Sequence, residues 1–138
     1  MSPEAYYGLT GTSLTADSSA VAERGRQAGV ALGDNPARTV RVLLADVLRD
    51  VDRRDDPLIE TIVGGMRMSA YLPTRTFELA VHSLDIAAAT GTSFSLPEDV
   101  LAEAVTLAGR MAVGRGDGAA VLMALTGRRE LPGEYSVV

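Results

Sequence analysis

The chain has 138 residues, of which 46% are hydrophobic and 22% charged, the balance of a globular protein rather than of a disordered or fibrous chain. A formal net charge of −5 and a pI near 4.8, with acidic and basic residues interspersed, exclude the concentrated positive patch that phosphate contacts need, so no nucleic-acid partner is expected. There is no cysteine, which removes disulfides, zinc thiolates and thiol nucleophiles, so any sulfur chemistry needs a partner that brings the sulfur.

In chain order, residues 1–16 are rich in Gly, Thr and Ser and carry no period, which predicts an arm or lead anchored by Tyr6, Tyr7, Leu9 and Leu14. This start has neither a basic stretch nor an apolar run, and no uncharged run approaches a membrane span, so the expected location is the cytoplasm and no membrane partner is expected. Asp17 or Ser18 can cap a helix over SSAVAERGRQAGVALG that stops at Gly33. Asn35 as N-cap and Pro36 in the first turn predict a second helix to about Arg53, with Val40, Leu43, Leu44, Val47, Leu48 and Val51 on one apolar face. VDRRDD then reads as a solvated helix end and turn.

LIETIVGGMRMSAYL predicts two short strands around Gly64 and Gly65, since a glycine pair tolerates the positive φ of a hairpin turn. EYSVV, residues 134–138, is a candidate third strand. A further helix carries RTFELAVHSLDIAAATG, residues 75–91, and ends at Gly91. Ser95 followed by Glu98 suggests a capping box, with Pro97 early in a helix reaching about Val113. After the GRGDG break, Asp117 can cap a last short helix that ends at Gly127. No repeat or low-complexity linker divides residues 1–138, which read as a single, mainly helical domain.

The chain's single histidine, His82, lies in the 75–91 stretch. At about 100° per residue, Arg75, Glu78, His82 and Asp85 fall within roughly an 80° sector. Large apolar residues border this stripe on both sides, Phe77, Val81 and Leu84 on one and Leu79 and Ile86 on the other, which favours a wall of a cavity or interface over bulk water. Glu78 and His82 can reach a common metal from adjacent turns, and Asp85 can be a third ligand or the acceptor that orients the imidazole. The same spacing also suits a salt-bridge network or a metal-free acid/base device. A catalytic zinc takes three protein ligands. This helix guarantees two, and Asp46, Asp50 and Glu60 are carboxylates whose placement the spacing leaves open.

YLPTRTFELAVHSLDIAAATG resembles the metal-binding domain of the mycothiol-dependent maleylpyruvate isomerase family, related to the DinB-like helical bundles. VAERGRQAGVALGDNPARTVRVLL and LMALTGRRELP extend the likeness over most of the chain, which resembles the latter two-thirds of the family domain. The resemblance implies a mainly α fold: a shortened DinB-like bundle with a small β-hairpin. It implies Zn2+ held by Glu78 and His82, with Asp85 as an orienting carboxylate and Arg75 pairing with it, positioning Glu78 or meeting an anionic substrate. The implied activity is that of a transferase or isomerase that uses a small thiol, mycothiol, as cosubstrate with a small electrophilic or anionic partner. Family members carry two earlier helices with a GW segment and a further ligand histidine, and neither is seen before SPEAYYG. The expectation is an apolar groove, and with it self-association into a homo-oligomer or another partner. The alternative reading is a non-catalytic metal-binding or protein-interaction domain with an incomplete active site.

Overall fold

The computed structural model describes residues 1–13, 18–52 and 55–138. Its order is α1 (Pro3–Ser13), α2 (Ser18–Ala31), α3 (Pro36–Val51), β1 (Leu58–Thr61), β2 (Gly64–Arg67), α4 (Met68–Thr90), α5 (Glu98–Gly114) and α6 (Gly118–Leu125). The fold is mainly α-helical with one small antiparallel hairpin. The chain divides into two compact units, Met1–Thr12 with Pro57–Val138, and Ser13–Asp56.

In the second unit, Asn35 Oδ1 accepts from Arg38 N at 3.1 Å, and Thr39 Oγ1 donates to Leu32 O at 2.8 Å, which fixes the α2–α3 turn. The expected Asn35 cap and Pro36 start both form. Val40, Leu43, Leu44, Val47 and Leu48 are each 49–59% exposed, and no residue of α3 is buried. The proposed Asp17 or Ser18 cap, the Leu14 anchor and the Arg53 helix end fall on or against positions outside the described residues.

The first unit carries the core. Phe77 and Ala80 of α4 pack with Ala104, Leu107 and Met111 of α5, flanked by Tyr7, Val81, Leu96, Val100, Ala108 and Val137. Burying side chains such as Phe77, Leu107 and Met111 contributes about 1.5–3 kcal/mol each. Met66 of β2 is 1% exposed and anchors the hairpin, while Met68 N donates to Pro57 O at 2.9 Å where β2 runs straight into α4.

Four expectations are corrected. Residues 3–13 form a helix, not an aperiodic arm, because Tyr6 and Tyr7 gain partners distant in sequence: Tyr6 is 7% exposed and meets Tyr71 edge-on at 6.0 Å. Leu9, by contrast, is 47% exposed. The hairpin turn is Ile62–Val63, since Thr61 pairs with Gly64; Thr61 Oγ1 donates to Gly64 O at 2.6 Å and accepts from Val63 N at 3.3 Å. Residues 134–138 form no strand, and the sheet has two strands; Val137 packs as a side chain against the core instead. The Ser95–Glu98 capping box is absent because Pro97, at φ −53° and ψ 143°, is itself the N-cap of α5, which leaves Ser95 two residues too early. Among the described residues, no helix is long and apolar enough to cross a membrane.

Candidate functional site

The polar stripe sits on α4, which runs 23 residues and begins seven positions before Arg75. Pro73 lies in its second turn, removing one backbone donor from the ladder. At the other end Gly91 takes φ 66° and its N–H caps Ala87 O, a left-handed stop that glycine adopts without a Cβ penalty. Thr74, Phe77 and Ala80 form the buried face of α4, so the stripe lies along the edge of that face.

Along this edge the environment changes. Glu78 has a side chain 34% exposed, while those of His82 and Asp85 are 67% and 69% exposed. The expectation of a stripe enclosed by apolar walls therefore holds only near Glu78. Leu79 and Ile86 flank it but are 70% and 63% exposed themselves, so solvent reaches the histidine.

Glu78 Oε2 lies 3.3 Å from His82 Nε2, and Asp85 Oδ2 lies 3.5 Å from His82 Nδ1. Both separations exceed the 2.7–2.9 Å typical of charge-assisted hydrogen bonds. The two carboxylates face opposite nitrogens of one ring. Two ligand atoms held at zinc bond lengths of about 2.0–2.1 Å and tetrahedral angles stand about 3.3 Å apart, so Glu78 Oε2 and His82 Nε2 have the spacing to share one ion. Asp85, on the other nitrogen, is placed as an acceptor for Nδ1–H. Among the described residues, no group of three or more His, Cys, Asp or Glu side chains comes together to hold a metal. Asp85 faces the nitrogen opposite to the one that Glu78 approaches, and Glu60 does not join the pair.

Arg75 does not pair with Asp85: ten residues at 1.5 Å rise separate them by about 15 Å along the helix. Its Nε donates to Thr74 Oγ1 at 3.1 Å, and its guanidinium lies over the rings of Tyr71 and Tyr6, 4.8 and 5.7 Å from their centres. Among the described residues no carboxylate stands within 4.0 Å of it.

The residue missed by sequence reasoning is Tyr7. From α1, its hydroxyl reaches Glu78 Oε1 at 2.7 Å and Thr74 O at 3.0 Å. Burial, then the hydrogen bond and negative charge of Glu78, push its ionisation well above the ordinary tyrosine range, so the phenol remains a donor. Its only sequence signal was an aromatic pair in an otherwise polar stretch. Tyr7 also borders a cleft of about 760 Å³ lined by Glu4, Ala5 and Gly8 of α1, Met111 and Gly114 of α5, Arg115 and the terminal Val137 and Val138, a volume in the range of small-molecule sites.

No protein-family model, curated protein or solved structure matches this chain.

Proposed function

We propose that this chain binds a divalent metal, zinc foremost, through Glu78 and His82, and acts as a small-thiol-dependent transferase or isomerase with mycothiol as the thiol. The observation that carries the metal reading is the 3.3 Å separation of Glu78 Oε2 and His82 Nε2 on successive turns of one helix. Zinc held there by Glu78 and His82 would supply the positive charge that lowers the pKa of a small thiol and favours its thiolate. The chain's own residues do the rest: Asp85 faces Nδ1 and favours the tautomer that leaves Nε2 free for the metal. The cleft beside Tyr7 offers mostly apolar walls, with the Glu4 carboxylate and the Arg115 guanidinium as its charged groups. The absence of cysteine accords with a thiol brought from outside. The same reading implies a shortened DinB-like bundle and a cytoplasmic address, where low-molecular-weight thiols stay reduced.

The test is to measure zinc bound after purification, and again in Glu78→Ala and His82→Ala, alongside the rate at which mycothiol is consumed by a small electrophile. Metal near one equivalent in the wild type, lost in both variants together with the rate, is the expected result. Equal, negligible metal in all three proteins sinks the metal site, and zinc without any thiol turnover sinks the enzyme.

One observation favours a second reading, a non-catalytic interaction domain: the face of α3 formed by Val40, Leu43, Leu44, Val47 and Leu48 remains about half exposed, an apolar stripe of the kind that marks interaction sites. Sedimentation of wild type and Leu44→Asp tests self-association through it. A dimer converted to monomer supports the reading, and monomers in both rule out self-pairing through α3.

A further inference from the structure

We infer that α3 pairs with α3 of a second copy of the chain, antiparallel about a two-fold axis near Ala45–Val47, with Arg41 of each copy set against Asp52 of the other. The pairing rests on α3 being an interaction surface, and adds to that reading the partner and its direction.

Around the axis of α3, at about 100° per residue, Val40, Leu44, Val47 and Leu48 lie within about 60° of Val51, and Leu43 within about 80°. Val51 is half-buried and the other five are each 49–59% exposed, an apolar sector that nothing covers among the described residues. The charges on its two borders differ. Arg41 and Asp52 stand on one border, about 20° apart around the axis and about 16 Å apart along it, while Asp50 stands on the other. Arg49 is already paired with Asp46, whereas among the described residues neither Arg41 nor Asp52 has an ion-pair partner.

Those borders select a partner and a direction. In an antiparallel pair of identical helices, each border meets the same border of the other copy run in reverse. The middle of the apolar run from Val40 to Val51 and the middle of the Arg41–Asp52 interval both fall between Ala45 and Val47. One two-fold axis therefore stacks the apolar sectors and brings Arg41 to Asp52 twice. In a parallel pair each border meets the opposite border at equal height, which sets Asp52 beside Asp50 of the other copy, and like charges across an interface are unfavourable. The face is complementary to itself in one direction only. A single helix pair about 24 Å long offers less than the roughly 800 Å² a side of a standard interface, so the dimer is weak and forms reversibly with concentration.

The experiment is sedimentation equilibrium of the full chain over a wide concentration range. The expected result is a monomer–dimer equilibrium abolished in Leu44→Asp, weakened roughly 10-fold in Arg41→Asp and in Asp52→Arg, and restored when both reversals are combined. Arg41 and Asp52 are exposed, and arginine at a helix C-terminus suits the helix dipole, so neither reversal threatens the fold. Direction is read independently. The chain has no cysteine, so a nitroxide on Ala37→Cys is the single label per copy. Its two copies should stand about 28 Å apart across the axis, against about 10 Å in a parallel pair. A short distance, a dimer tightened by Asp52→Arg alone, or a combined variant no better than the single ones overturns the antiparallel pairing and leaves self-association through α3 standing. Dimers that survive Leu44→Asp, or monomers at every concentration, overturn both.

Discussion

The guanidinium of Arg75 lies 4.8 Å from the centre of the Tyr71 ring, one helical turn earlier on α4, and that contact replaces the ion pair its place in the stripe suggested. Arg75→Ala is expected to lower stability by about 1 kcal/mol, the scale of a partly desolvated cation–π contact. Urea denaturation of Arg75→Ala, Tyr71→Leu and the double variant checks it. Coupled, non-additive losses are the prediction; strictly additive losses would show that the two side chains do not interact.

The Tyr7–Glu78 bond also gives stability a dependence on alkaline pH. Burial and Glu78 raise the ionisation of Tyr7 in the folded protein, while an unfolded tyrosine titrates near about 10. Above that pH the folded state holds a proton that the unfolded chain releases, so the contribution of Tyr7 is complete below about pH 10 and declines as pH rises beyond it. Denaturation of wild type and Tyr7→Phe at pH 8, 10 and 11 should show the wild-type advantage shrinking only in the alkaline samples. A gap independent of pH contradicts the assignment.

Where the sequence was readable and where it was not follows from the range of the interactions involved. Asn35–Pro36 and the stop at Gly91 are local: a side chain bonding three residues ahead and a glycine at φ 66° are written within a few positions. The approach of Glu78 to His82, 3.3 Å apart, was legible for the same reason, the two being four residues apart on one helix. Residues 3–13 were not, because PEAYYGLTGTS has little helical preference of its own and its helix is held by Tyr6 and Tyr7 against Tyr71, Phe77 and Glu78. The hairpin was legible as an element but shifted by two residues, since Thr61 bonds within the turn set a register that the glycine pair alone did not reveal. The bond from Tyr7 to Glu78 lay beyond any pattern, because it spans 71 positions.

That register gives a paired prediction at Gly64 and Gly65. Gly64 has φ +113°, whereas an added Cβ at Gly65 would meet Leu58 at an ordinary 3.6 Å. Gly64→Ala should therefore cost about 1–2 kcal/mol through backbone strain. Gly65→Ala should be neutral or stabilise by up to about 1 kcal/mol, by reducing the entropy of the unfolded chain. Melting curves of the two variants decide the register, and equal losses would place the turn on the glycine pair after all.

Asp85 offers the last test, because it separates orientation of the histidine from coordination. Its Oδ2 is 3.5 Å from His82 Nδ1, and its side chain is 69% exposed. Its influence on a metal at Nε2 is thus indirect and open to screening. With Glu78 and His82 as ligands, Asp85→Asn should weaken zinc binding about tenfold, at the low end for a group that supports a ligand. The variant retains an oxygen able to accept from Nδ1–H, so what it loses is charge, and the wild-type advantage should shrink as salt is raised from 0.05 to about 0.5 M, where the Debye length falls to only a few ångströms. Glu78→Gln should behave differently, losing most of the affinity at every salt concentration because a ligand atom itself changes. Zinc titrations of the three proteins at low and high salt compare the two roles. A salt-independent loss in Asp85→Asn as large as that of Glu78→Gln would make Asp85 a ligand and require the imidazole to turn.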